Sequence, residues 1–239
     1  MHPTDIDQQL TGLAGLGDPL RRALYRQVAE RGVPVSRDDA AQATGISRPL
    51  AAYHLDKLVH DGLLEARYQR RSDRRGPGAG RPAKHYVRAD RQIELSLPTR
   101  DYAALAELLA GAVQADPTGA AQAALNRAAA SLGAELGTEA AATLVQADPD
   151  QVLTAVRQAL AARGYEPHDD PDGTIRLRNC PFDRIAAHHR QLVCGANHAM
   201  LQGLTEQLDG DPPVQAGLDP QPGRCCVVLT RVVDGRAAG

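Results

Sequence analysis

The chain has 239 residues, 43% hydrophobic and 23% charged, with a net charge of −2. That balance suits one or two soluble globular domains able to bury a core. No apolar run is long enough to cross a bilayer, and Met1-His2-Pro3-Thr4-Asp5 lacks the basic-then-apolar pattern of a signal peptide, so no membrane partner and a cytoplasmic location are expected. Cysteines in such a compartment stay reduced unless they hold a metal or sense redox state. Aromatics are scarce, Phe182 being the only Phe, and Ala and Leu dominate, which favours helices.

The net charge hides an asymmetry. Residues 67–91 carry +7, against −2 for residues 1–66 and −7 for residues 92–239. A basic island in an acidic chain is either a solvated loop or a polyanion contact.

In chain order, the first predicted helix spans Asp18–Arg31, with Pro19 in its first turn, Gly32 past its end, and Leu20, Ala23, Leu24, Tyr25 and Val28 on its inner face. Ser36 can cap a second helix over Arg37–Thr44, with Asp39 as its capping-box partner and Gly45 as its stop. Ser47 can cap a third helix running to about His60, with Leu50, Leu55 and Leu58 inward and Asp61-Gly62 ending it. Leu63–Arg71 and Lys84–Arg88 read as two strands around a Gly/Pro/Arg loop, Asp73–Ala83. Three short helices and a hairpin, with a Gly-containing turn between the second and third helices, is the winged helix-turn-helix order.

An Ala-rich helical stretch follows over roughly 98–163. One helix starts at Pro98-Thr99 and is broken by Asp116-Pro117, a second fits Thr118–Leu132 with Gly133 and Gly137 punctuating it, and a third fits Gln151–Ala162. From Tyr165 the pattern changes. Glu166–Arg178 suggests a hairpin around Asp169–Gly173, Pro181–Leu208 a long amphipathic helix, and Cys225–Val233 an apolar strand. The expected fold is mostly α with an α+β C-terminal part. A winged helix-turn-helix domain would span 1–95, a helical linker or dimerisation region 96–163, and a small α+β sensor domain 164–239.

A recognition helix presents its N-terminal and outward side chains to base edges in the major groove. Here those would be Ser47, Arg48, Ala51, Ala52 and Tyr53, with His54 and Lys57 nearer phosphate. Arg48 is the best base reader, because its fork can take guanine O6 and N7 together; pairing with a surface carboxylate is the alternative. Lys57 and His60 serve equally as solvated residues. In the wing, Arg70, Arg71, Arg74, Arg75, Arg81 and Lys84 supply the basic charge, and Gly80-Arg81-Pro82 is a short hook suited to a narrow minor groove.

Leu16–Arg22, Ala40–Arg48 and the run YHLDKLVHDGLLE over residues 53–65 resemble the ArsR-like winged-helix regulators of bacteria. The resemblance implies a homodimer bound to palindromic double-stranded DNA.

All four cysteines, Cys180, Cys194, Cys225 and Cys226, lie in the last 60 residues. The C-x2-C pairs of zinc ribbons are absent, and a structural disulfide is disfavoured in a reducing compartment. Asn179-Cys180-Pro181-Phe182-Asp183-Arg184-Ile185-Ala186, continuing to Gln191-Leu192-Val193-Cys194, looks like the C-terminal motif of the Suf-operon repressor group. That resemblance implies an iron–sulfur cluster held by Cys180, Cys194 and one of Cys225 and Cys226, the late cysteine being single in the group. Thiolates are the soft ligands such clusters need. A fourth ligand could come from His188, His189 or His198, although packing is the commoner role for each. Strand alternation would turn one of Cys225 and Cys226 into the core, leaving Cys225 for the site.

No nucleophile elbow, phosphate loop or HExxH motif is present, so no enzymatic activity is expected. The function read from the sequence is a DNA-binding transcriptional regulator, a dimeric repressor controlled by an iron–sulfur cluster. The alternative is a regulator that senses a small molecule, haem or thiol redox state through the same C-terminal domain.

Overall fold

The computed structural model describes residues 10–69, 83–94, 96, 98, 100–142, 144, 149–208, 214–221, 223–233 and 236–237. They form two compact units, divided between Arg100 and Asp101.

In the N-terminal unit a first helix, α1, is described over residues 10–15. Helix α2 (Pro19–Arg31) starts where the Asp18 carboxylate accepts the backbone N–H groups of Leu20 and Arg21, both at 2.9 Å. Strand β1 (Val35–Ser36) leads into α3 (Arg37–Thr44), whose N-terminus carries the expected Ser36–Asp39 capping box. Gly45 ends α3 at φ 69°, a left-handed conformation natural to glycine, and lets the chain turn sharply into α4 (Arg48–His60). Strands β2 (Leu64–Gln69) and β3 (Ala83–Arg88) pair antiparallel, and the three strands order as β1-β3-β2. Leu24, Val28, Val35, Leu55, Leu58, Leu64 and Tyr86 fill the core.

Two inner-face assignments on α4 are corrected. Ala51 is fully buried, whereas Leu50 is 40% exposed. At about 100° per residue, position 51 lies about 40° from 55, and position 50 lies about 140° away. The inner stripe is therefore Ala51–Leu55–Leu58, and Ala51 cannot reach a base. Ala23 on α2 is likewise exposed rather than inward.

The C-terminal unit holds α5 (Tyr102–Gln114), α6 (Ala120–Ala141), α7 (Pro149–Ala162), β4 (Pro167–Asp169), β5 (Ile175–Leu177), α8 (Asp183–Ala186), α9 (Arg190–Thr205), β6 (Val214–Leu218), β7 (Val227–Val233) and β8 (Arg236–Ala237). The sheet is antiparallel, ordered β4-β5-β7-β6 with β8 on β7. Side chains from α6, α7, α9 and the sheet share one core, including Leu136, Val156, Leu177, Leu201 and Leu229. Residues 101–162, expected as a region apart, thus belong to one unit with the sheet.

Gly133 and Gly137 do not punctuate α6, which runs through both. They let it approach α9 backbone to backbone: a Cβ on Gly133 would overlap the Met200 carbonyl oxygen, and one on Gly137 would press on the Leu204 carbonyl oxygen. Gly203 on α9 faces the Ala130 carbonyl in the same way. The long helix expected over Pro181–Leu208 is broken, with α8 and α9 separated by a turn at residues 187–189. Strand β6 had no clear signal in the sequence.

Candidate nucleic-acid interface and cysteine cluster

Helix α4 presents Tyr53 to solvent at 66% exposure, with its ring edge-on to His54 at 5.1 Å. Ser47 sits at the N-cap position, but its side chain makes no cap hydrogen bond; its carbonyl accepts Ala51 N–H at 2.9 Å. The Arg48 guanidinium pairs through Nε with Asp38 Oδ1 at 2.5 Å, joining the start of α4 to α3. Both side chains are exposed. Such a surface pair contributes about 0–1 kcal/mol, so a base or phosphate can compete for Arg48 at small cost.

Lys57 and Lys84 are held in the fold. Lys57 Nζ lies 3.1 Å from Asp61 Oδ1, whose carboxylate is buried. Lys84 Nζ lies 2.6 Å from Asp56 Oδ1, and the Tyr86 hydroxyl donates to the same oxygen at 2.7 Å. Burial opposes the Asp56 charge, but the hydrogen bonds from Lys84 and Tyr86 prevail and hold its carboxyl below the ordinary range. Burial, and then the hydrogen bond to Asp56, push the Tyr86 phenol up. This triad fastens β3, and with it the base of the wing, to the recognition helix.

Arg70, Arg71, Arg74, Arg75 and Arg81 lie outside the described residues. The hairpin that carries them is described as far as the Gln69–Ala83 pair. Tyr68, at its end, is exposed and was not anticipated.

In the C-terminal unit the four cysteines are free thiols. Cys180 follows β5, Cys194 lies on α9, and Cys225 and Cys226 precede β7. The strand starts at Val227, and the chain bends at Cys226, so the expected alternation does not apply and both residues are buried. The sulfurs form a chain in which Cys180 and Cys226 each adjoin Cys225, and Cys194 adjoins Cys226. Hydrogen bonds from Cys180, then Cys226, draw the Cys225 thiol far down, against the burial that raises it. Cys180 and Cys226 are pushed up, each first by its bond to Cys225 and then by burial.

Two buried residues support Cys225. Asn197 Nδ2 donates to Cys225 Sγ at 3.3 Å, and the Tyr165 hydroxyl donates to Asn197 Oδ1. The Cys225 N–H donates to the Leu177 carbonyl at 3.0 Å, tying the cysteine pair to β5. Sequence reasoning missed Asn197, although it stands three residues from Cys194 and thus shares its face of α9. Tyr165 carried no signal.

The histidines weighed as extra ligands are engaged elsewhere. Glu107 on α5 takes His188 Nδ1 at 3.1 Å and His189 Nε2 at 2.8 Å, and Gln114 takes His189 Nδ1 at 2.6 Å. The bonds from His188 and His189 lower the Glu107 pKa. His198 Nε2 lies 3.1 Å from the Ala216 carbonyl oxygen. Among the described residues, no three His, Cys, Asp or Glu side chains form a ready-made metal site. The donor chemistry of the cysteines nonetheless suits a thiophilic centre, with four soft sulfurs brought to one region. Among the described residues, no helix is long and apolar enough to cross a membrane.

No curated protein and no solved structure matches the chain. Residues 16–67 match the model of a helix-turn-helix domain, and with the turn at Gly45, the exposed face of α4 and the β2–β3 hairpin this supports a DNA-binding helix-turn-helix transcriptional regulator.

Proposed function

We propose that the chain is a homodimeric repressor that binds a palindromic operator and is controlled by an iron–sulfur cluster held by Cys180, Cys194, Cys225 and Cys226. One observation carries the reading: four cysteines, absent from the first 179 residues, come together from the β5–α8 loop, α9 and the entry to β7. The sequence resemblance is what suggests an iron–sulfur cluster and repression for this site.

When bound, the cluster supplies an oxidant-sensitive tie among those three segments. The protein's own residues set the rest. Asn197, fixed by Tyr165, orients Cys225, and the Gly133–Gly137 contact fixes α9 and so Cys194. Arg48 and Tyr53 face the bases, Ser47 lies at the helix start, and His54 and the wing arginines meet phosphate. Ligand-linked regulation needs only that the tied and untied forms bind the operator differently.

The test is a gel-shift titration on a DNA fragment selected from a random pool, run anaerobically before and after mild oxidation. The wild type should change its affinity at least severalfold, and Cys225→Ser should bind DNA without responding. An equal response in both proteins, or none in the wild type, contradicts control through the cysteines.

A further inference from the structure

Between α5, α6 and α9 lies an open apolar pocket of about 460 Å³. It exists because the sequence places alanine where larger side chains would close the gap: Ala106 and Ala110 on α5, Ala128 and Ala129 on α6, and Ala196 on α9. The pocket opens to solvent along one side, where Leu109, Leu132 and Phe182 are exposed, so apolar side chains that a monomer would otherwise cover line its mouth. Its volume falls within the range of small-molecule sites.

The lining fixes the chemistry of the occupant. Asn197 is its only polar residue among the described residues. Both ends of that amide are already committed, Oδ1 to Tyr165 and Nδ2 to Cys225, and the residue is 2% exposed. Glu107, the only charged residue of α5, is turned to His188 and His189. A charged group seated among these side chains would give up water and find no partner. An apolar one would lose nothing and cover Leu125, Leu192 and Met200.

The cover can move. Helix α5 buries a single residue, Ala110, and is tied down by Glu107 and Gln114 at the turn before α9. We propose that this pocket binds one uncharged, apolar small molecule of roughly two to three fused-ring bulk, with Asn197 as the wall between it and Cys225. The proposal does not depend on what the cysteines hold.

The test uses the full chain and the uncharged fluorophore N-phenyl-1-naphthylamine, with its anionic relative 1-anilinonaphthalene-8-sulfonate as the comparison. The uncharged probe should bind saturably, one per chain, and the sulfonate at least tenfold more weakly. Ala110→Leu and Ala196→Leu, which fill the space from opposite walls, should each weaken binding at least tenfold while melting no lower than the wild type. A wild type that binds no probe, because a second copy or another protein covers α5, overturns the proposal. So do equal affinities for the two probes, filled variants that bind as well as the wild type, or filling variants that both melt lower, which would mean the space is not there to fill.

Discussion

Replacing Gly133 with alanine adds one methyl group where α6 and α9 meet backbone to backbone. The new Cβ would overlap the Met200 carbonyl oxygen and stand 2.8 Å from the Met200 carbonyl carbon. Carbon atoms settle at about 3.5–4.0 Å, so the helices must part by on the order of 1 Å. The obstruction is backbone, and no rotamer change relieves it. Alanine gains about 1 kcal/mol over glycine in a helix interior. Overpacking costs about 1–3 kcal/mol and occasionally more, and here the displacement also loosens the buried Met200, Leu201 and Leu204. A net loss of about 1–3 kcal/mol is expected, a fall in Tm of about 2–10 °C for a chain this size. Because α9 carries Cys194, iron loading should fall as well. The assay is a circular dichroism melt beside Gly111→Ala, whose Cβ would meet nothing within 4 Å on the exposed side of α5. That control should melt at or above the wild type. If Gly133→Ala melts as high as the wild type, or both variants fall alike, the close approach does not hold the unit together.

Arg48→Ala should relax base preference at one operator position at a cost of about 1–3 kcal/mol, and Asp38→Ala, by releasing Arg48, should strengthen DNA binding modestly; equal weakening of Arg48→Ala on all sequences would mark a phosphate contact instead. The lowered Asp56 carboxyl contributes stability above its unfolded value near 3.8 and loses it as pH falls through the lower folded value. Asp56→Asn should therefore cost on the order of 1 kcal/mol at neutral pH, allowing for its exposure, and narrow the difference in melting between pH 7 and pH 3; an unchanged difference contradicts the triad's role. Neutralising Arg74, Arg75 and Arg81 together should weaken binding on every sequence and flatten its salt dependence, and an unchanged slope would remove the wing from the interface.

The N-terminal unit was legible because its signals are local. The Ser36–Asp39 box, Gly32, Gly45 and the hydrophobic spacing each act within a turn or two, and the structure follows them. The error at Ala51 was one of angle, since a leucine draws attention that an alanine does not. In the C-terminal unit the deciding contacts are long-range. Gly133 reads as a helix breaker until a second helix backbone is seen against it, and β6 becomes a strand only by pairing with β7. The clustering of the cysteines was visible in their counting. That Cys225 and Cys226 both join it was not, because a bend at 226 replaces the strand that would have turned them apart.

The most direct measurement is iron and acid-labile sulfide content, with the visible spectrum, of anaerobically reconstituted wild type and the four single Cys→Ser variants. The wild type should be coloured, absorb broadly, and hold iron and sulfide in equal amounts. Cys180→Ser, Cys194→Ser, Cys225→Ser and Cys226→Ser should each lose the colour and the iron while keeping the wild-type helical signal. A colourless wild type after reconstitution, or full iron in both Cys180→Ser and Cys194→Ser, would contradict a cluster held by these thiols.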